Sequence, residues 1–103
     1  MTKLENLNVK LLKRERITQE VRQDQLRVRL RNAQEQYDSL LELASEPGIS
    51  DREIDVAAYR MSEVSKTTDR AEQALQEAQR RTSVIDSTLD VLSKRMELEK
   101  KGV

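Results

Sequence analysis

The side chains that could carry out acid–base or metal chemistry in this 103-residue chain are carboxylates, amines and hydroxyls, since it contains no Cys and no His. Without imidazole or thiolate, the commonest general base and the softer metal ligands are missing. The segment Asp51–Asp55 is rich in carboxylates but lacks the Gly and the ligand spacing of a calcium-binding loop. We therefore expect a protein that is not an enzyme, with no catalytic residue, no metal site and no cofactor.

Composition limits the kinds of element that could position these side chains. Charged residues make up 37% of the chain and aromatic residues 2%, and 19 Lys and Arg balance 19 Asp and Glu. So few large apolar side chains cannot fill a broad core, whereas long helices with a narrow apolar stripe need no more than this. Disorder is the competing interpretation, but a disordered chain has no reason to be periodic.

One segment, Ser45–Ile54, interrupts the helical pattern. It contains Pro47, which is the only proline, and Gly48, which is one of two glycines. Proline lacks an N–H and glycine loses the most backbone entropy on folding, so both are disfavoured inside a helix. The chain therefore divides here into two helical segments.

A signal for the start of a helix follows directly. Ser50 and Glu53 have the spacing of a capping box, in which the serine oxygen accepts from the Glu53 N–H and the carboxylate accepts from the Ser50 N–H. Ile49 and Ile54 occupy the positions of a hydrophobic staple. We predict that the second helix begins at this serine.

Apolar residues in the first segment alternate at steps of four and three, as positions a and d of a coiled coil do. We call these positions the seam, and here they are Leu26, Leu30, Ala33, Tyr37, Leu40 and Ala44. Toward the N-terminus the register continues through Gln23, Gln19, Arg16, Leu12 and Val9. A different stripe carries Leu4, Leu7, Leu11, Val21 and Val28. Either the register shifts near residues 21–26, or the first helix has two apolar faces.

The second segment carries the longer periodic pattern. Twelve of its fifteen a and d positions are apolar: Ile54, Ala57, Met61, Val64, Thr68, Ala71, Leu75, Ala78, Thr82, Ile85, Leu89, Leu92, Met96, Glu99 and Val103. The residues between them are mostly charged or polar, as on the solvent-facing side of an amphipathic helix.

These patterns predict an all-α fold, a two-helix antiparallel coiled-coil hairpin that forms a single domain over residues 1–103. Helix 1 is expected at about 3–45, the turn at 46–49 and helix 2 at about 50–101. A connection this short between two helices with complementary apolar stripes favours antiparallel neighbours.

The expected register follows by counting outward from the turn. The nearest seam residues, Ala44 and Ile54, are taken as level, which places Gln23 opposite Leu75. Because the first-helix seam is polar at this point, we expect the middle of the hairpin to be its weakest part.

Apolar residues outside the seam concentrate near the open end of the hairpin, which lies opposite the turn. They form the candidate partner-binding set Leu4, Leu7, Leu11, Val84, Val91 and Leu98. These side chains could widen the core beneath Lys and Arg stems. Alternatively, they form an exposed docking face for a second copy or another protein.

Charge is distributed unevenly along the chain. Lys10–Arg31 holds eight basic and three acidic residues, whereas Asn32–Glu63 holds eight acidic and two basic residues. A solvated helix with ordinary ion pairs accounts for much of this pattern. Nucleic-acid binding is the alternative, but it has no support from stacking aromatics, a recognised module or a basic total charge.

The sequence also carries an expectation about cellular location. The first residues contain no continuous apolar region typical of a signal peptide, and no run approaches the length of a membrane span. We therefore expect no membrane span and a cytoplasmic protein.

Several segments together resemble a known family. They are Lys-Leu-Leu-Lys-Arg-Glu-Arg at residues 10–16, the Arg-rich first helix, the short break, and a second helix ending Lys-Arg-Met-Glu-Leu-Glu-Lys-Lys. This arrangement resembles the small FliJ/YscO-type stalk coiled coils of flagellar and type III secretion systems. The resemblance implies a rod that contacts a hexameric secretion ATPase, with export chaperones as further partners.

Two functions are therefore expected. The first is a non-enzymatic coiled-coil interaction protein, an accessory or stalk component of a type III secretion apparatus that takes part in protein transport. The second is a self-assembling structural or scaffolding coiled coil, which would form homo-oligomers.

Overall fold

The computed structural model describes residues 2–102 and confirms the predicted all-α, two-helix hairpin. Helix α1 spans Lys3–Ala44 and helix α2 spans Asp51–Lys101, with no strand in the described part of the chain. The last predicted seam residue, Val103, lies outside the described residues.

The connection between the helices contains Pro47 and Gly48, the two residues that interrupt the helical pattern. The Ser45 N–H donates to the carbonyls of Leu41 and Glu42 at 3.1 Å, which closes the last turn of α1. Gly48 then adopts a φ of 81°, in the left-handed region that other L-residues rarely enter. The chain reverses direction at this glycine.

Ser50 caps α2 as predicted, although only half of the predicted capping box forms. The Glu53 N–H donates to Ser50 Oγ at 3.2 Å. The Glu53 carboxylate does not accept from the Ser50 backbone in the hydrogen bonds described; it accepts from Ser50 Oγ at 3.0 Å. The expected hydrophobic staple is only partly buried, because Ile49 is half-buried but Ile54 is 38% exposed.

A second cap, at the start of α1, follows the same rule. The Glu5 N–H donates to Thr2 Oγ1 at 3.1 Å, so a threonine three residues before a glutamate caps this helix as well. The Thr-x-x-Glu spacing could have revealed this cap in the sequence.

The chain divides into two compact units, each containing parts of both helices. The turn unit comprises Asp24–Leu75, and the terminal unit comprises the chain up to Gln23 together with the chain from Gln76 onward. Each unit has its own stretch of seam.

In the turn unit, the predicted seam residues other than Ile54 face inward. Its buried apolar residues are Leu26, Ala33, Ala57 and Ala71. The larger seam side chains are half-buried, namely Leu30, Tyr37, Leu40, Met61, Val64 and Leu75. Alanine on one helix therefore leaves room for larger side chains on the other, as interdigitating packing requires.

In the terminal unit, the seam continues with the same spacing. Ala78 and Ile85 are buried, and so are the polar residues Gln19 and Gln23. Half-buried seam residues complete it, namely Val9, Leu12, Arg16, Thr82, Leu89, Leu92 and Met96. The exception is Glu99, which is exposed.

The burial of residues along α1 distinguishes between a register shift and two apolar faces. Its positions keep the same four-and-three spacing from Val9 to Ala44, and each of them is buried or half-buried. Leu11, Val21 and Val28 lie off this seam and are about half exposed. The helix therefore has a second apolar face, and the register does not shift.

The register between the helices differs from the predicted count by one seam step. Gln23 Nε2 lies 3.5 Å from the carbonyl oxygen of Ala78, not opposite Leu75. The predicted count took Ile54 as level with Ala44, but six residues, Ser45 to Ser50, separate the helices, so α2 need not begin level with the end of α1. This offset also explains why Ile54 remains partly exposed.

Candidate protein-binding surface

The six residues predicted to bind a partner are all exposed. The side chains of Leu4, Leu7, Leu11, Val84, Val91 and Leu98 are between 51% and 69% exposed. They therefore do not widen the hydrophobic core. All six belong to the terminal unit.

Heptad positions show which of these residues share a side of the hairpin. Leu4 and Leu11 occupy position c of α1, and Val84, Val91 and Leu98 occupy position c of α2. In an antiparallel pair, a local twofold axis relates the helices and keeps equal heptad positions on the same side of the seam. We call these five residues the apolar flank.

A groove in the terminal unit supports this placement. Glu15 on α1 and Arg81 on α2, both at position g, line it together with Val84. Position g lies between the seam and position c at 100° per residue, so the c positions border the same side. Leu7, at position f, lies next to the flank on the outer side of α1.

Residues of the apolar flank form matched levels along the two helices. Because Gln23 lies opposite Ala78, steps of equal length along both helices bring Leu11 and Leu4 to within one residue, about 1.5 Å, of the levels of Val91 and Leu98. The two levels are one heptad apart, which is about 10 Å. Both helices thus offer apolar side chains at the spacing of a coiled-coil stripe.

Position g separates the two rows of the apolar flank. It carries polar or charged residues, all of them exposed, namely Asn8, Glu15, Arg81, Thr88 and Arg95. Thr88 Oγ1 donates to the Val84 carbonyl at 2.9 Å, so its hydroxyl is already satisfied within α2. The space between the rows can therefore accept a helix without leaving this hydroxyl unpaired.

The border of the apolar flank is basic. Position f, outside the c row, carries Arg80, Lys94 and Lys101 on α2 and Arg14 on α1, and all four are exposed. Lys94 pairs with Asp90 at 3.0 Å in an exposed i,i+4 contact. Such surface pairs contribute little and exchange readily with other partners.

Ion pairs also link the two helices of the terminal unit. Arg16 Nε donates to Asp86 Oδ1 at 2.6 Å, and Arg95 lies 3.9 Å from Glu5. The hydrogen bond and charge of Asp86 raise the pKa of Arg16, which is charged at all ordinary pH values in any case. These contacts fix the level of one helix against the other.

A buried polar layer lies in the same unit. Gln19 and Gln23 are only 4% and 8% exposed. Gln23 Nε2 donates to Thr82 Oγ1 at 2.9 Å, and Gln19 Nε2 donates to Glu15 at 2.9 Å. Gln19 Oε1 is buried without a hydrogen-bond partner, which disfavours the folded state locally.

The turn unit has exposed apolar side chains that the sequence pattern did not single out. They are Leu41, Leu43, Val56 and Tyr59. Leu43 and Val56 line a groove together with Arg52, Glu53 and Arg60. The heptad positions of these four apolar residues outside the seam, at e, g, c and f, could have identified them. We call Leu43 and Val56 the turn patch.

Two features are absent from the part of the chain that the structure describes, a metal-binding cluster and a membrane-spanning stretch. Between residues 2 and 102, no three acidic side chains cluster closely enough to hold a metal ion. Neither helix, over the same residues, has a stretch long and apolar enough to cross a lipid bilayer.

Comparisons with protein families, with curated proteins and with solved structures find no match to this chain.

Proposed function

We propose that this chain is a non-enzymatic interaction protein that binds another protein through the apolar flank of its terminal unit. The observation that carries the proposal is the pair of heptad-spaced rows, with Leu4 and Leu11 on one helix and three aliphatic residues on the other. Scattered exposed apolar residues are ordinary, but aligned rows at helical spacing are typical of a docking face.

The total exposed surface supports the same function. The chain exposes 8199 Å² of accessible surface. A compact monomer of 12.0 kDa exposes about 6000 Å² by the usual scaling with mass. The excess, about 2000 Å², is similar to the area buried in a standard protein–protein interface.

The family resemblance suggests the first partners to test. If the chain acts as a FliJ/YscO-like stalk, its partners are a secretion ATPase ring or export chaperones, and it works in the cytoplasm. Self-assembly into a scaffold is the alternative, and it differs by needing no other protein.

Binding to purified ATPase and chaperone tests this function. We expect the triple variant Val84→Gln, Val91→Gln, Leu98→Gln to weaken binding by at least about tenfold, because each aliphatic side chain contributes roughly 1 kcal/mol or more when buried. The matched control is Leu43→Gln, Val56→Gln, which alters the turn patch only. Loss of binding in the control alone would place the binding surface at the turn.

Sedimentation of the chain alone distinguishes a self-assembling scaffold from a protein that binds a different partner. A scaffold forms concentration-dependent oligomers without a partner, whereas an interaction protein of a secretion apparatus stays monomeric until its partner is added.

A further inference from the structure

We infer that the partner segment is an amphipathic helix whose apolar stripe is bordered by Asp and Glu, and that it completes a three-helix bundle with the terminal unit. This inference rests on the proposed function and adds the chemistry of the occupant. It draws on the shape of the apolar flank and on the charge around it.

The shape of the flank fits a helix. Leu11 lies within one residue of the level of Val91, and Leu4 within one residue of the level of Leu98, one heptad further along. A helix lying between the two rows would meet both levels with side chains spaced by one heptad. An extended strand or loop repeats at a different interval and would match one level at a time.

The charge of the residues that border the apolar flank indicates the charge of the partner helix. The positions that border the flank on this side of the terminal unit hold six basic and two acidic residues, counting paired and unpaired ones alike. They are Arg14, Arg80, Arg81, Lys94, Arg95 and Lys101, against Glu15 and Glu77. The terminal unit as a whole has twelve basic and eight acidic residues. Acidic residues beside the partner's apolar stripe would meet this border as complementary charges.

A second copy of the chain fits this surface less well. A flank placed on another flank would bring two basic borders together. The groove at the turn patch of a second copy is lined by Arg52, Arg60 and Glu53, so it too would bring a basic excess to a basic border. Like charges at close range oppose association.

Two designed peptides test the charge preference directly. Both carry Leu at positions a and d over about three heptads; one has Glu at the flanking e and g positions, and the other has Lys there. Uniform charge keeps each peptide from pairing with itself. Binding to the full chain is measured by fluorescence anisotropy of the labelled peptide at low and at physiological salt.

We expect the Glu peptide to bind at least about tenfold more tightly than the Lys peptide, with a difference that narrows as salt is raised. The triple variant of Val84, Val91 and Leu98 should lose this binding, while the turn-patch variant keeps it. Lys94→Glu with Lys101→Glu should reduce the preference for the Glu peptide, because it reverses part of the border.

Three results would overturn the inference. The Lys peptide could bind as well as the Glu peptide, both peptides could fail to bind, or the chain alone could form a dimer that the triple variant abolishes. The first two leave the proposed function intact if ATPase or chaperone binding still depends on the apolar flank. The dimer would instead identify a second copy as the occupant.

Discussion

The turn unit and the terminal unit share one heptad pattern but are stabilised differently. The turn unit packs alanines against larger apolar residues such as Leu26 and Tyr37, and its helices are joined by a short connection. The terminal unit places two glutamines in the seam and holds its helices with ion pairs such as Arg16–Asp86. Burial of apolar area dominates in the first unit, and polar specificity contributes more in the second.

The two units also differ in net charge. The turn unit has eleven acidic and seven basic residues, and the terminal unit has eight acidic and twelve basic residues. The chain is neutral only as a sum. We expect each unit to attract partners of opposite charge, which would give the two ends different binding partners.

This difference teaches that a regular seam does not distribute stability evenly. A glutamine layer fixes how the helices align, since Gln23 bonds across to Thr82, but it contributes less than apolar residues of the same size. The terminal unit should therefore open more readily than the turn unit, and it also carries the apolar flank.

The largest expected effect comes from removing core volume in each unit. Leu26→Ala and Ile85→Ala should each lower the free energy of unfolding by roughly 2–4 kcal/mol, because both side chains are buried. If the units differ as described, Ile85→Ala should speed hydrogen exchange mainly in the terminal unit. Uniform acceleration along both helices would show that the units unfold together. Val91→Ala, at an exposed position, is the control.

The next effect concerns the buried glutamine. Gln19→Leu should raise the free energy of unfolding by about 1–2 kcal/mol, since it removes a buried oxygen that has no hydrogen-bond partner. Chemical denaturation measures the change. Gln25→Leu, on the exposed side of the same helix, should change it by no more than about 0.5 kcal/mol. Destabilisation by Gln19→Leu would mean that the amide contributes more than its unpaired oxygen costs.

A smaller effect tests the start of α2 in the turn unit. Ser50→Ala should lower the free energy of unfolding by about 1 kcal/mol, because the Glu53 N–H loses its acceptor. The control Ser65→Ala, on the exposed face of the same helix, should cost little or stabilise slightly. Equal losses in thermal melts would remove the evidence for a helix start at this serine.

The smallest effect concerns the ion pair between the helices of the terminal unit. Asp86→Asn should lower the melting temperature slightly at low salt and hardly at all at high salt, because the pair with Arg16 is partly exposed. Asp90→Asn, which affects a pair within α2, is the matched control. A loss that does not depend on salt would point to packing instead of charge.

The sequence by itself was sufficient to predict the two helices of this fold and the break between them. Pro47 and Gly48 locate the break because of their backbone chemistry, and the spacing of Ser50 and Glu53 identifies the cap because one hydrogen bond needs that spacing. The residues that face inward also follow from the sequence, since the helical repeat places every third or fourth residue on one side.

The register between the helices was decided only by the tertiary structure. Counting from the turn took Ala44 and Ile54 as level, but the path through Gly48 lets α2 begin further out, which brings Gln23 to Ala78. Periodicity repeats along each helix and so fits several registers almost equally well. The path of the connection and the polar contacts across the seam select one of them.

The proposed binding surface was likewise predicted in part from the sequence and decided in part by the tertiary structure. Sequence spacing identified Val84, Val91 and Leu98 as a row outside the seam, because heptad position is a property of a single helix. It did not show that Leu11 lies within one residue of the level of Val91. That fact depends on how the two helices are aligned, and alignment results from contacts between residues far apart in the chain.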